Sequence, residues 1–570
     1  MPEATEIESS ADLELANHSA GGLQRDARFY EERRQRWCLY LVLIVCSMGS
    51  MVARLMTIQG ESYGMDVPYL SANDRSRWST IRALGDQDTF AIDGVLQSDD
   101  GYRWDSIDKV MHPGRDGKPH FYSSKPTLLP WLLSYEYLGL KEATGKNLED
   151  DTFFIVRLML LVNQILPMLF FFLIIAAIVE DLAKTDWTKF FVVATATFGT
   201  FLTTFAVTLN NHSYATVSTA ITIWALIKIW RSDNEKWKYF ILAGLFSAFA
   251  AANDLPALSL VAFAFVVCSM KSLSRTLIAF VPAAALIVGS FFYTNWMAHN
   301  DLTPPYGHRD DGPVIAQVDF ESVELANQAA ASLDGAVLPL QIKSAIVENA
   351  DQLNSKIVDD SLIRRGNWPV PVSTNRWLLD NQDHSSRVVI VNQSDSETFN
   401  LHAWNNWYEY PGSYWRAENQ AKASVDQGEK SQATYAAHFL IGHHGVFSLS
   451  PIWLWAIPGV LMLCFSTHYK IRFIGVGIIS ISVVVILFYV TRDELDRSYG
   501  GLTCGPRWLF WLIPMWLIAL IPLLDRISKW GTMKVVAVIT LFISAGSASY
   551  AWGNPWVHPW IYEIMQKFGG

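Results

Sequence analysis

Cysteine is scarce in this chain of 570 residues, which has five. Cys38, Cys46, Cys268 and Cys464 fall inside apolar runs and only Cys504 lies near a polar connection. No pair is placed to staple a loop, and a disulfide framework is excluded. A basic excess is missing as well. The formal net charge is −10, and residues 301–437 alone hold 19 acidic against 10 basic residues, which excludes a nucleic-acid partner that would want a basic face. No repeat at solenoid periods of about 20–50 residues is present. Charge is almost absent from the interiors of the apolar runs, whereas a transporter needs a charged or broken-helix midplane site. Arg54, near the end of the first run, is expected to snorkel to the interface.

What the sequence has in quantity is apolar residues, 51% of the chain, with a mean hydropathy of +0.18. They gather in runs of about 20 residues, the length that crosses a bilayer. Runs near 37–57, 153–179, 189–208, 213–230, 238–253, 255–270, 276–296, 447–466, 471–490, 506–524 and 534–552 predict an all-α polytopic membrane protein with about 11 transmembrane helices. Residues 1–36 read as a disordered cytoplasmic tail, with Arg33, Arg34 and Arg36 directly before an uncleaved signal anchor. With that end inside, the short inner connections carry Lys184/Lys189, Lys228/Arg231, Lys271/Arg275, Lys470/Arg472 and Arg526/Lys529, as the positive-inside rule requires. The expected location is the cell (inner) membrane, multi-pass, with the N-terminus cytoplasmic and the large loops outside.

Four parts follow from these boundaries: the tail, a transmembrane module over 37–300 with a long first outer loop at 58–151, an outer insert at 301–445, and C-terminal transmembrane helices over 446–570. Strand-like alternation from Arg387 to Val391 and a helical stretch at 320–333 predict a small α+β subdomain in the insert. Trp404, Trp407 and Trp415 read as members of an interfacial belt.

Two polar stretches of the first outer loop carry candidate chemistry. Asp74, at the start of a short surface helix, is placed either to act as a general base toward a hydroxyl or to cap that helix. Lys125, before the helix that Pro126 introduces, either holds a lipid phosphate as a compact point charge or snorkels. At the second outer turn, Asn211 and His212 either bond sugar hydroxyls or satisfy the turn itself. Asp254, at the third, faces a cavity or caps the next helix. His438, His443 and His444 lack partners at metal-ligand spacing, so no metal site is read there.

The segments Asp74-Arg75-Ser76-Arg77-Trp78 and Tyr122-Ser123-Ser124-Lys125-Pro126-Thr127-Leu128-Leu129 resemble the first outer loop of prokaryotic GT-C glycosyltransferases of the lipid A aminoarabinose transferase and protein O-mannosyltransferase type. Those enzymes have an Asp-Glu-x-Arg-Tyr-like motif and then a Lys-Pro-Pro-Leu motif in the corresponding places. The resemblance covers roughly residues 37–300. Ser498-Tyr499-Gly500-Gly501-Leu502-Thr503-Cys504-Gly505-Pro506-Arg507 is similar to a Tyr-Gly-Gly…Gly-Pro-Arg segment in the same group. Arg507 there clamps a phosphate bidentately or pairs with Asp493, Glu494 or Asp496.

The resemblance implies a GT-C-like fold, Asp74 as the catalytic residue and Lys125 as the anchor of the donor phosphate. It further implies substrate binding by Arg77, Asn211, His212, Asp254 and Arg507. Arg75, Ser124 and Thr127 depart from the family motifs, which leaves the acceptor and a divalent metal open. The implied activity is inverting transfer of a sugar from a polyprenyl-phosphate donor to a hydroxyl acceptor on the outer face of the membrane. No cofactor is read, and the expected partners are the lipid-linked donor, the bilayer and a glycan, lipid or protein acceptor. The alternatives are a polyprenyl-diphosphate glycan polymerase or ligase, with working arginines at Arg364 or Arg365, and a non-catalytic membrane transporter.

Overall fold

The computed structural model describes residues 4–62, 64–231, 236–354, 362–365, 374–381, 383–415 and 424–569, with the backbone alone for 4–30, 362–365, 424, 495 and 569. Among the described residues, six helices are long and apolar enough to cross a membrane: Glu31–Thr57, Thr152–Leu182, Leu273–His299, Tyr469–Val490, Arg507–Ile527 and Gly531–Tyr550. The expected count of about eleven is not reached on length and composition. The other five apolar runs are helical too, but four are short: Asp186–Phe198 with 13 residues, Trp237–Asn253 with 17, Leu255–Lys271 and Pro451–Cys464. The fifth, Asn211–Arg231, is long enough but rich in serine and threonine.

That polar helix sits inside the bundle. Thr216, Thr219 and Thr222 are buried and donate to the carbonyls of His212, Ala215 and Ser218 at 2.7, 2.8 and 2.9 Å. Hydroxyls satisfied on their own helix are tolerated in a membrane interior, and their small size lets neighbours come close. Gly244 does the same for the adjacent helix, because a Cβ there would lie 2.2 Å from the Phe280 carbonyl oxygen. The bundle's outer surface shows the opposite pattern, with Ile278, Leu286, Val484 and Phe542 exposed where lipid would cover them.

At the N-terminus, residues 4–36 continue the first helix, Ala4–Thr57, where a disordered tail was the expectation. Arg54 also differs from expectation. It is buried rather than snorkelled, and its guanidinium donates to the carbonyls of Trp552, Thr203 and Thr204 at 2.9, 3.0 and 3.2 Å. Helix ends leave carbonyls without intrahelical donors, and a five-donor fork meets several of them at once.

The long loop at 58–151 and the insert at 301–445 cover one end of the bundle. The loop holds the helix Ala72–Gln87, an antiparallel hairpin of Lys109–Pro113 with Pro119–Ser123, and the helix Leu128–Thr144. In the insert, the strands Val314–Asp319, Thr398–Ala403, Arg387–Gln393, Thr374–Asp380 and Leu362–Arg365 form one antiparallel sheet in that spatial order. Trp377, Leu379, Val388, Ile390, Phe399 and Leu401 alternate onto one face and pack against the helices Val323–Asp334 and Leu340–Glu348. Arg364 and Arg365 lie on the edge strand, and their side chains are outside the described residues.

Trp407 is no belt residue. Its ring stacks on His308 with centroids 3.5 Å apart and on His112 at 4.0 Å, and its carbonyl accepts from the Met111 N–H at 2.9 Å. This contact fixes the insert on the first-loop hairpin. Beneath the sheet, Arg376 is fully buried and donates to both carboxylate oxygens of Glu409 at 3.0 and 2.9 Å, with Asp311 as a further partner at 2.6 Å. Breaking such a pair from one side strands a buried charge. We therefore expect Arg376→Leu to destabilise the insert by about 3–5 kcal/mol, read as a lower unfolding midpoint and faster proteolysis within 301–445. Additional replacement of Glu409 by Gln is expected to recover part of the loss.

Candidate functional site

Sequence position alone keeps the first-loop residues apart; the hairpin brings them together. Asp116-Gly117 supplies its turn, with Gly117 at φ +75°. The register pairs Lys109 with Ser123, so Asp108 and Ser124 continue past the last pair as neighbours, and the Ser124 N–H donates to the Asp108 carbonyl at 3.0 Å. One residue on, the Lys125 ammonium meets Asp108 Oδ2 at 2.9 Å. Ser76, on the helix Ala72–Gln87, donates to the Asp108 carbonyl at 2.6 Å and locks hairpin to helix.

The same helix presents Arg77, which is 3% exposed. Its guanidinium donates to the Asn73 carbonyl at 2.9 Å, to the Asn73 side chain, and to Asn211 Oδ1 at 2.8 Å. From the opposite wall comes Arg507, at the start of a span. It donates from Nε and Nη2 to the Gly500 carbonyl at 3.0 and 2.5 Å, and from Nη1 to His212 Nε2 at 3.0 Å. Gly500 sits at φ +96°, a left-handed conformation that glycine adopts without a Cβ clash, and this turns its carbonyl back onto Arg507. The preceding Tyr499 is also left-handed at φ +54° and is braced from behind by the His444 ring, stacked at 4.6 Å.

These groups line one cavity of about 340 Å³, which Arg77, Lys125, Asn211, His212, Asp254 and Arg507 all border. A second lobe of about 360 Å³ shares Asp108, Lys125 and Arg507 with the first. Five cations border the first lobe: Arg77, Lys125, Arg309, Arg492 and Arg507. Arg309 and Arg492 are paired with Asp496 at 2.9 and 3.2 Å, and Lys125 with Asp108. Arg77 and Arg507, among the described residues, are bonded only to neutral groups. Burial pulls the Arg77 guanidinium down to about 10 and lowers the Lys125 ammonium, and the Asp108 charge opposes both shifts. Cations desolvated without full compensation are the electrostatic signature of an anion site.

Asp74 does not line this cavity. Its neighbours Ser71, Ala72 and Asn73 border the second lobe, but its own carboxylate points into the protein and is 1% exposed. It accepts from the N–H groups of Leu70, Ser71 and Arg75 at 3.0, 2.8 and 2.9 Å, from Ser71 Oγ at 3.0 Å, and from Thr208 Oγ1 at 2.6 Å. Ser71 returns the bond to the Asp74 N–H, which completes a capping box. The helix-cap alternative is therefore the geometry found, and every lone pair a base would use is engaged. Asn211 and His212 are similarly engaged. Asn211 Nδ2 donates to the Asn253 carbonyl at 2.5 Å, and His212 Nδ1 lies 2.9 Å from Asp254 Oδ2. Asp108, Arg309, Arg492 and Tyr408 are cavity residues that the sequence reading passed over. For Asp108 a signal existed, since a hairpin centred on Asp116-Gly117 sets it opposite the stretch before Lys125.

Among solved structures, the chain is similar to the oligosaccharyltransferase of Archaeoglobus fulgidus in complex with zinc and sulfate, with a TM-score of 0.40 and 10% identity. The match covers 91% of this chain and 53% of that one, so the chain spans about half the length of that protein. No protein-family model and no curated protein matches the chain.

The capping geometry sets an expectation for Asp74. In Asp74→Asn, one acceptor oxygen becomes an N–H facing groups that themselves donate, which costs about 1–3 kcal/mol. Tryptophan fluorescence on heating the purified variant is expected to show a lowered unfolding midpoint. An unshifted midpoint would argue against the structural role.

Proposed function

We propose that this chain is a membrane glycosyltransferase of the GT-C kind, which moves a sugar from a polyprenyl-phosphate donor onto a hydroxyl acceptor at the outer face of the membrane. The observation that carries the reading is the cavity in which Arg77, Lys125 and Arg507 converge beside the carboxylate of Asp108, at the junction of two lobes. A polyprenyl phosphate supplies the anion that Arg77 and Arg507 lack. Its lipid tail would leave toward the bilayer, and its sugar would lie between the lobes.

In this reading Asp108 replaces Asp74 as the base. The acceptor hydroxyl gives its proton to the Asp108 carboxylate, and its oxygen bonds to the anomeric carbon from the face opposite the phosphate. The bond from that carbon to the phosphate oxygen breaks, and the phosphate departs with the electron pair, so the sugar carbon inverts. Negative charge grows on the leaving oxygen, where Arg77, Lys125 and Arg507 are already in place and need little rearrangement. The arriving phosphate also competes for Lys125, which loosens the Lys125–Asp108 pair and leaves the carboxylate free to accept a proton.

Two measurements test this assignment. Asp108→Asn is expected to lower transfer at least about 100-fold, the scale of a lost general base, while a polyprenyl phosphate still binds. Transfer at the native rate by a folded Asp108→Asn protein would remove Asp108 from the mechanism. The second measurement follows donor affinity against pH. Burial lowers the Lys125 ammonium, so its charge is lost as pH rises through a range below that of an ordinary lysine, and affinity is expected to fall there. Lys125→Arg, which keeps its charge, is expected to flatten that alkaline fall.

A further inference from the structure

We propose that the consecutive residues Asn211 and His212 are positioning residues, each holding one of the two cavity guanidiniums, Arg77 and Arg507, that lack a carboxylate partner among the described residues, and that Asp254 fixes the histidine tautomer that this requires. The inference rests on the reading of the cavity as a lipid-phosphate site.

Asn211 uses both ends of its amide. Nδ2 is anchored on the Asn253 carbonyl, which orients Oδ1 toward Arg77 Nη2 at 2.8 Å. His212 works in the same way with its two ring nitrogens. Asp254 is a carboxylate and accepts, at 2.9 and 3.1 Å, so the proton of the neutral imidazole resides on Nδ1. Nε2 then carries a lone pair, and it receives the Arg507 N–H at 3.0 Å.

The guanidinium of Arg507 has five N–H bonds. Two go to the Gly500 carbonyl and one to His212, which leaves one on Nη1 and one on Nη2 for a ligand. Both ring nitrogens of His212 are engaged, so it offers no free polar atom to a substrate. This departs from the sugar-hydroxyl role expected from sequence. The helix Asn211–Arg231 thus begins with two adjacent acceptors that splay toward opposite walls, one for each arginine.

Only the histidine arm responds to protonation. A proton on Nε2 removes the acceptor and sets a cation against the guanidinium. The charged and titratable groups facing this arm are Asp254 from the third outer turn, Arg77 from the first-loop helix and Arg507 itself. On the far side of Arg507 are Asp108, Asp426 and Tyr489. Asp254 holds the proton on Nδ1 and Arg507 opposes a second one, so phosphate affinity falls as His212 becomes doubly protonated on the acid side.

The test measures binding of a short-chain polyprenyl phosphate to the purified full-length protein across pH. His212→Ala is expected to weaken binding about tenfold or more, as for loss of an oriented charged hydrogen bond. His212→Gln, whose amide can donate to Asp254 and accept from Arg507, is expected to recover most of that loss and to abolish the acid-side fall. Wild-type affinity in His212→Ala, or a retained acid-side fall in His212→Gln, overturns the proposal. In parallel, nitrogen-15 spectra of histidine-labelled protein read the tautomer without any ligand. The Nδ1–H form is expected, with its Nε2 shift changed in Arg507→Ala, and an Nε2–H form overturns the relay. If the wild type fails to bind polyprenyl phosphate, the cavity reading falls, and the tautomer measurement still decides the relay.

Discussion

An arginine taken out of water without a carboxylate partner must be held by dipoles, and the capped end of this bundle is organised around doing so twice. Arg77 rests on the Asn73 backbone and two amide oxygens, and Arg507 on a carbonyl turned back by a left-handed glycine and on an imidazole lone pair. None of these partners cancels the charge. Lys125 and Asp108 border the same cavity, which sets five cations against the carboxylates of Asp108, Asp254, Asp426 and Asp496 and, among the described residues, leaves Arg77 and Arg507 without a paired one. That balance favours an anionic ligand and leaves a proton acceptor within its reach.

Much of the surrounding architecture serves the rigidity of those contacts. The capping box at Asp74 starts the helix that carries Arg77, and Thr208 ties that cap to the second outer turn. Gln164 donates to the Asn210 carbonyl at 3.2 Å from a π-helical turn, Leu161–Ile165, that precedes Pro167. The lost proline donor and the widened turn occur together, as the backbone ladder requires. Asp74 therefore matters to the site through structure, because its five accepted hydrogen bonds set where Arg77 begins.

The insert adds a wall to this arrangement. The His308–Trp407–His112 stack seats it on the first-loop hairpin, and Arg309, next in sequence to His308, reaches Asp496 of the late loop at 2.9 Å across the cavity. Tyr408, the neighbour of Trp407, lines the same cavity. Two contacts that belong to folding thereby deliver two residues to the site, since adjacent residues on an irregular stretch point different ways.

The apolar runs and the two long polar segments were legible from the chain alone, while Arg77, Lys125 and Arg507 were singled out by the resemblance of the motifs that contain them. Run length, turn residues and motif spacing are local properties, and a bilayer leaves few alternatives to helix. Three assignments were beyond that reach. Asp74 and Asp108 are equivalent as sequence, each an aspartate in a polar loop, and only the fold buries one under backbone N–H groups and opens the other to a cavity. Arg54 stands near a helix end where snorkelling is the usual outcome, until neighbouring helix ends supply carbonyls to hold it. Asn211 and His212 carry groups that suit a sugar, and the packing of the Asn253–Asp254 turn spends those groups on two arginines instead. The sequence determined which chemistry is available at this end of the protein; the tertiary structure decided which atoms remain free to perform it, because hydrogen-bond capacity is finite and partners distant in sequence claim it first.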